Sequence, residues 1–262
     1  EYVSTVYSGL SKVRTICWTH EADSMIITND QGNVDRPNNY ILTRESGFKT
    51  ITELTKGQNC NGADTHPING ELYFNSYNAG QVFRYDFNTK ETIPLFTIQD
   101  SGWEFHIQFH PSGDYAYIVV VNKHYILRSD YDWKTKRLTT PYIICGSQGD
   151  AAWVDGVGKK ARMNRPRQGT FVKNPAYEGS NDEYDFYFCD RENHCIRILT
   201  PQGRVTTFAG RGSNGTSGYN DGDLRQEARF NHPEGIVYDE ERECFFIGDR
   251  ENRRIRKIGY EE

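Results

Sequence analysis

Two stretches decide how this chain folds. The first holds Trp153-Val154-Asp155-Gly156, then Ala161-Arg162-Met163-Asn164-Arg165-Pro166, then Tyr187-Phe188-Cys189-Asp190-Arg191-Glu192-Asn193-His194-Cys195-Ile196-Arg197-Ile198. The second holds Tyr219-Asn220-Asp221-Gly222, then Ala228-Arg229-Phe230-Asn231-His232-Pro233, then Phe245-Phe246-Ile247-Gly248-Asp249-Arg250-Glu251-Asn252-Arg253-Arg254-Ile255-Arg256-Lys257-Ile258. They are two copies of one unit: an Asp-Gly turn, an Ala-Arg-apolar-Asn-x-Pro segment, an apolar run closed by Asp, and a basic–apolar alternation. The first copy is longer only in its polar stretch 174–185, which reads as an extended surface turn.

The pattern continues upstream in weaker form. Apolar runs close on Asn29, Asn75 and Asn122, as they do on Asp190 and Asp249. Around each closing residue the sequence predicts further short strands. First strands are expected at 13–19, 63–66, 107–110, 169–173 and 235–238. Third strands are expected at 40–42, 82–85, 125–127, 195–199 and 254–258, and fourth strands at 48–54, 92–98, 141–145 and 205–209. The runs are β-branched and aromatic and are bounded by Gly, Asn, Asp and Pro. No long segment carries helical periodicity. Four-strand units recurring at this interval predict an all-β fold, a β-propeller of four-stranded antiparallel blades, five in this chain, with residues 1–262 as one domain. The last unit lacks a fourth strand, and the stretch 3–6 (Val-Ser-Thr-Val) resembles the one at 205–208, so it is expected to complete that blade.

Composition narrows the function. The chain has 262 residues, with 31 Lys+Arg against 36 Asp+Glu. That slightly acidic balance argues against nucleic acid as a partner. No stretch reaches the length of an apolar membrane span, and the first residues do not form a signal peptide. None of the six cysteines forms a CxxC pair. Cys189 and Cys195 flank a hairpin turn, where either a disulfide or two buried thiols would fit.

The two strong units resemble NHL repeats, specifically over 146–262 and more loosely over 1–145. The chain as a whole resembles the propeller portion of bacterial surface proteins that join an IPT/TIG immunoglobulin-like domain to NHL repeats. Stretches such as Gly70-Glu71-Leu72-Tyr73-Phe74-Asn75-Ser76 carry that look. The resemblance implies an outer-surface protein of glycan-using Gram-negative bacteria, a lipoprotein that binds rather than cuts, with an Ig-like domain upstream. It leaves open whether the intact propeller has five blades or six.

Candidate motifs have modest readings. His20, His66 and His110 recur at one repeat position. Equivalent positions on different blades are too far apart to share one metal ion, so they are read as structural caps. Asp155-Gly156 and Asp221-Gly222 lack the ligand spacing of a calcium loop and are read as turns. Arg197, Arg254 and Arg256 with Asp190 and Asp249 are read as exposed ion pairs bracing hairpins. No phosphate-binding glycine loop and no GxSxG elbow is present. No metal and no cofactor is expected.

The lead-in loops of the first strands and the turns between second and third strands share one propeller face at the channel mouth. They nominate Arg14, Asn61, Tyr77, Trp103, Glu104, His106, Lys123, His124, Arg167, Gln168 and Glu234 as ligand-binding residues. Aromatic plates beside forked hydrogen-bonding groups suit sugars, so a non-catalytic glycan-binding protein is the first reading. The alternatives are a lyase or hydrolase using Glu104, His106 and Glu234 as acid and base, and a platform for a surface protein partner.

Overall fold

The computed structural model describes residues 5, 8–30, 35–56, 59–76, 78–98, 104–210 and 216–260. Among them the regular structure is β-strand with a few 3-10 turns. The first sheet runs β1 (Val13–Trp18), β2 (Ser24–Asn29), β3 (Pro37–Thr43) and β4 (Ile51–Lys56) in that order. The second runs β5 (Ala63–Thr65), β6 (Leu72–Ser76), β7 (Gln81–Asp86) and β8 (Glu91–Thr97). The third comprises β9 (Phe105–Phe109), β10 (Tyr115–Val120) and β11 (Tyr125–Asp132), with β12 (Arg137–Leu138) and β13 (Tyr142–Gly146) both pairing β11. The fourth takes β14 (Gly156–Val157), β15 (Pro166–Lys173), β16 (Tyr184–Asp190), β17 (Cys195–Leu199) and β18 (Arg204–Ala209) in the order β14-β18-β17-β16-β15. The fifth is β19 (Pro233–Asp239), β20 (Cys244–Asp249) and β21 (Arg254–Ile258).

Five antiparallel up-and-down sheets are the blades of an all-β propeller, as the repeat predicts. The anticipated strands fall within a few residues of the observed ones. β12 and β14 were not anticipated. The fifth sheet has three strands among the described residues; the stretch 3–6 lies outside them, apart from Thr5.

The chain divides into two compact units, Glu1–Ile118 with Ser129–Pro141 and Val119–Arg128 with Tyr142–Glu262. In the first, Ile26, Leu72, Phe74, Phe83 and Tyr85 form one apolar cluster, and Ile27, Tyr40 and Leu42 another. In the second, Ile196, Ala209, Phe230, Ile236, Phe245 and Ile247 pack together. These are the alternating inward positions of two-residue periodicity. β10 is buried along its whole length, as befits a central strand covered on both faces.

The structure explains why apolar runs close on Asn or Asp. The Asn29 Oδ1 accepts from the Ser11 and Lys12 amides at 2.8 and 3.0 Å. The Asn75 Oδ1 accepts from Asn61 and Gly62 at 3.0 and 2.9 Å. Asp190 and Asp249 accept from the Asn164 and Asn231 amides, each at 2.7 Å. One acceptor at the end of a second strand thus satisfies backbone N–H groups of the preceding lead-in loop, which burial would otherwise leave unpaired.

The repeated arginines lie at the centre of this device. Arg197 donates to Asp190 at 2.7 Å, to Asp155 at 2.9 Å, and to the Arg162 and Val154 carbonyls at 3.1 and 3.0 Å. Arg256 repeats the arrangement with Asp249, Asp221 and the Arg229 and Asn220 carbonyls. Asn193 and Asn252 donate to the same two aspartates, each at 2.8 Å. The expectation of exposed pairs is corrected here: the Arg197 and Asp190 side chains are both 0% exposed. Inward strand parity places the guanidinium beneath the loop, so the pair is a buried structural bolt.

Other motifs resolve similarly. His66 Nε2 lies 3.0 Å from the Gly113 carbonyl, and its Nδ1 accepts from the Ile68 and Asn69 amides. His110 Nδ1 lies 2.8 Å from Ser112 Oγ. Asp155 and Asp221 are partners of arginines, as turn residues. All six cysteines are free. Asp190 pairs with Cys195 and Cys189 with Ile196, so the two cysteines are one residue out of register and point to opposite sheet faces, which removes the disulfide option.

Candidate functional site

The nominated residues fall into two groups. In the first unit, Arg14 donates through Nε and a terminal nitrogen to one oxygen of Asp30, at 3.1 and 2.8 Å. Asn61 is buried, its Oδ1 accepting from Asn75 at 2.6 Å and its carbonyl from Thr15 at 3.0 Å. His106 is buried and Glu104 half-buried, both at the start of β9. Tyr77 and Trp103 lie outside the described residues.

In the second unit the geometry is denser. Glu234, at the start of β19, sits among three guanidinium groups. Arg167 Nε lies 3.1 Å from Oε1, and Arg191 Nε and an Arg250 terminal nitrogen lie 3.3 and 3.7 Å from Oε2. Arg167 and Arg191 are nearly buried, whereas Arg250 is 51% and Glu234 38% exposed. Beside them His232 Nε2 lies 3.2 Å from Glu192 Oε2. Gln168 follows Arg167 on β15 and is half-buried. The strands bring these groups together because each comes from the same end of β15, β16, β19 or β20, where the lead-in loops and turns emerge.

Two turn histidines, the nominated His124 and its counterpart His194, have a positioning role. His124 and His194 both adopt left-handed backbone, at φ 64° and 56°, one residue after a 3-10 turn. His124 Nδ1 accepts from the Arg165 amide at 3.1 Å, and His194 Nδ1 accepts from the His232 amide at 3.2 Å. Arg165 and His232 are themselves left-handed, at φ 53° and 54°. One turn histidine thereby staples the lead-in loop that follows it. The accepting Nδ1 leaves the proton on Nε2, and burial lowers both histidines' pKa, with Arg165 and Lys123 adding to the effect at His124 and His232 at His194. Lys123 is fixed through its carbonyl, which accepts from Gly149 at 2.9 Å. Arg191, His232 and Arg250 belong to the charged cluster without having been nominated as ligand residues. Their signal in the sequence was the position shared between the two strong repeats.

No protein-family model matches the chain, and no curated protein does. Solved structures do. An auxiliary nutrient binding protein from Bacteroides thetaiotaomicron is 93% identical with a TM-score of 0.95, over 100% of this chain and 62% of its own. One of the same description from Bacteroides ovatus is 43% identical with a TM-score of 0.93, over 98% and 61%. A third, from B. thetaiotaomicron and provisionally named a phosphatase, is 42% identical with a TM-score of 0.90, over 96% and 61%. The chain therefore spans about three fifths of each of these relatives. At 14% identity and a TM-score of 0.56, virginiamycin B lyase from Staphylococcus aureus shares the fold alone.

Among the described residues no group of His, Cys, Asp and Glu has the arrangement of a metal site. No helix is long and apolar enough to cross a membrane.

Proposed function

We propose that this chain is a non-catalytic, extracytoplasmic binding protein that takes glycan nutrients on its lead-in loop face. The observation that carries the reading is the cluster around Glu234. Arg167, Arg191 and Arg250 present forked donors, Glu234 and Glu192 present acceptors, and the Glu234 and Arg250 side chains are partly exposed although Glu234 Oε2 itself is buried. Sugar hydroxyls both donate and accept, and such an alternation of planar donors and carboxylates suits them. The two nutrient-binding relatives support binding as the activity. Both oxygens of Glu234 face guanidinium groups, an arrangement better suited to holding a ligand than to passing a proton.

A glycan array probed with the purified chain and with Glu234→Gln tests this. Retention of one polysaccharide class by the native chain, with at least tenfold weaker retention by the variant, is the expected result. The phosphatase name of the third relative favours a second reading. The same preparation incubated with p-nitrophenyl phosphate decides against that reading if no nitrophenol is released. Silence across the array, or turnover lost in Glu234→Gln, contradicts the proposal.

A further inference from the structure

A cleft of about 540 Å³ opens in the second unit at the opposite strand ends from the lead-in loops. It is bounded by the end of β15, the end of β19, the start of β20 and the residues after β21. At about 3.3 Å per residue, Tyr238 in its wall lies about 13 Å along β19 from Glu234, and Lys173 at its rim lies at the far end of β15 from Arg167. Its volume lies in the range of about 300–1,000 Å³ found for small-molecule sites.

The wall is aromatic. Tyr187 lies 4.7 Å from Phe245 and 5.0 Å from Phe208 between ring centroids, and Tyr238 lies 4.8 Å from Phe245. Tyr260 stands at the rim, 88% exposed. The hydroxyls of Tyr187, Tyr238 and Tyr260 have no hydrogen-bond partner among the described residues. Tyr187 and Tyr238 are partly buried against the apolar cluster of the fourth and fifth sheets. A phenol in that position ordinarily finds a partner in the protein, and all three of these residues line the cleft. Burial pushes the Tyr187 hydroxyl up to about 12, so it stays a neutral donor at physiological pH. Lys173 on the rim is held by Glu183 at 2.8 Å, which leaves the cleft without a spare cation for a phosphate or a uronate.

We propose that this aromatic cleft is a further binding site, for a neutral pyranose residue of an oligosaccharide. Such a ring offers an apolar C–H face to the aromatic wall and hydroxyls to the three phenols. Neither a purely apolar ligand nor an anionic one uses both features. The proposal stands on its own observation and does not depend on the Glu234 cluster.

Calorimetric titration with maltohexaose, cellohexaose, xylohexaose and mannohexaose tests it, on the native chain, Tyr187→Phe, Tyr187→Phe/Tyr238→Phe and Glu234→Gln. The phenylalanine variants keep the rings and the packing and delete only hydroxyls. One of the four sugars is expected to bind. Its affinity should fall about fivefold in Tyr187→Phe, the worth of one neutral hydrogen bond, and further in the double variant. No heat with any of the four at millimolar sugar overturns the proposal. So does an affinity equal in the native and phenylalanine chains. If that equal affinity is lost in Glu234→Gln, the sugar sits on the lead-in loop face: the cleft proposal fails and the loop-face reading stands.

Discussion

Arg197 is a charged side chain with no exposed surface, and its worth comes from what it leaves behind if removed. Arg197→Met would strand Asp190 in the interior, where burial already raises its pKa against the opposing pull of Arg197. Breaking a buried pair costs about 3–5 kcal/mol, so the variant is expected to melt many degrees lower in a thermal scan, or not to fold. A fall of only a degree or two would mean that the pair is as dispensable as a surface one. His194 and His124 give a pH dependence. The folded chain holds them neutral with a lowered pKa, so below about pH 6.5 it binds fewer protons than the unfolded chain. Their contribution is therefore complete above that pH and is lost as the pH falls. Tm should drop between about pH 7 and pH 5, with His66, also lowered by burial, acting in the same direction. His124→Asn/His194→Asn keeps residues that tolerate left-handed backbone and should flatten the slope, measured by melting across that range. An unchanged slope would remove the staples from the account.

At the scale of the element, the repeat made the strands legible because turn residues and closing Asn or Asp recur in fixed places. β14 escaped because two residues carry no period. It is defined by a distant pairing, Val157 with Arg204, that only the fold supplies. The burial of Arg197 escaped for a related reason. Spacing revealed that the arginines recur, but not that the Asp-Gly turn folds over them. Strand packing also sets where glycine is required. A Cβ on Gly169 would stand 2.3 Å from the Tyr187 carbonyl of the paired strand, which cannot yield, whereas Gly235 faces open space. Gly169→Ala is expected to cost at least about 1–3 kcal/mol and Gly235→Ala almost nothing, compared by urea denaturation. Equal midpoints for the two variants would show that β15 and β16 are less closely packed than described.

For the molecule as a whole, architecture was easier to read than activity. The five-sheet propeller followed from local pattern, while the Glu234 cluster needs Arg167, Arg191 and Arg250 to converge from three separate segments. The aromatic cleft was invisible because Tyr187, Phe208 and Tyr238 are ordinary strand residues until two sheets bring them together. The proposed function requires that this fold bind a glycan and leave it intact. The most direct measurement is to incubate the best-retained polysaccharide overnight with stoichiometric protein, recover it, and compare its chain-length distribution and bound fraction by mass spectrometry and calorimetry. Saturable binding with an unchanged distribution is the expected result. Shortened chains, or no saturable binding to any polysaccharide, would contradict the account.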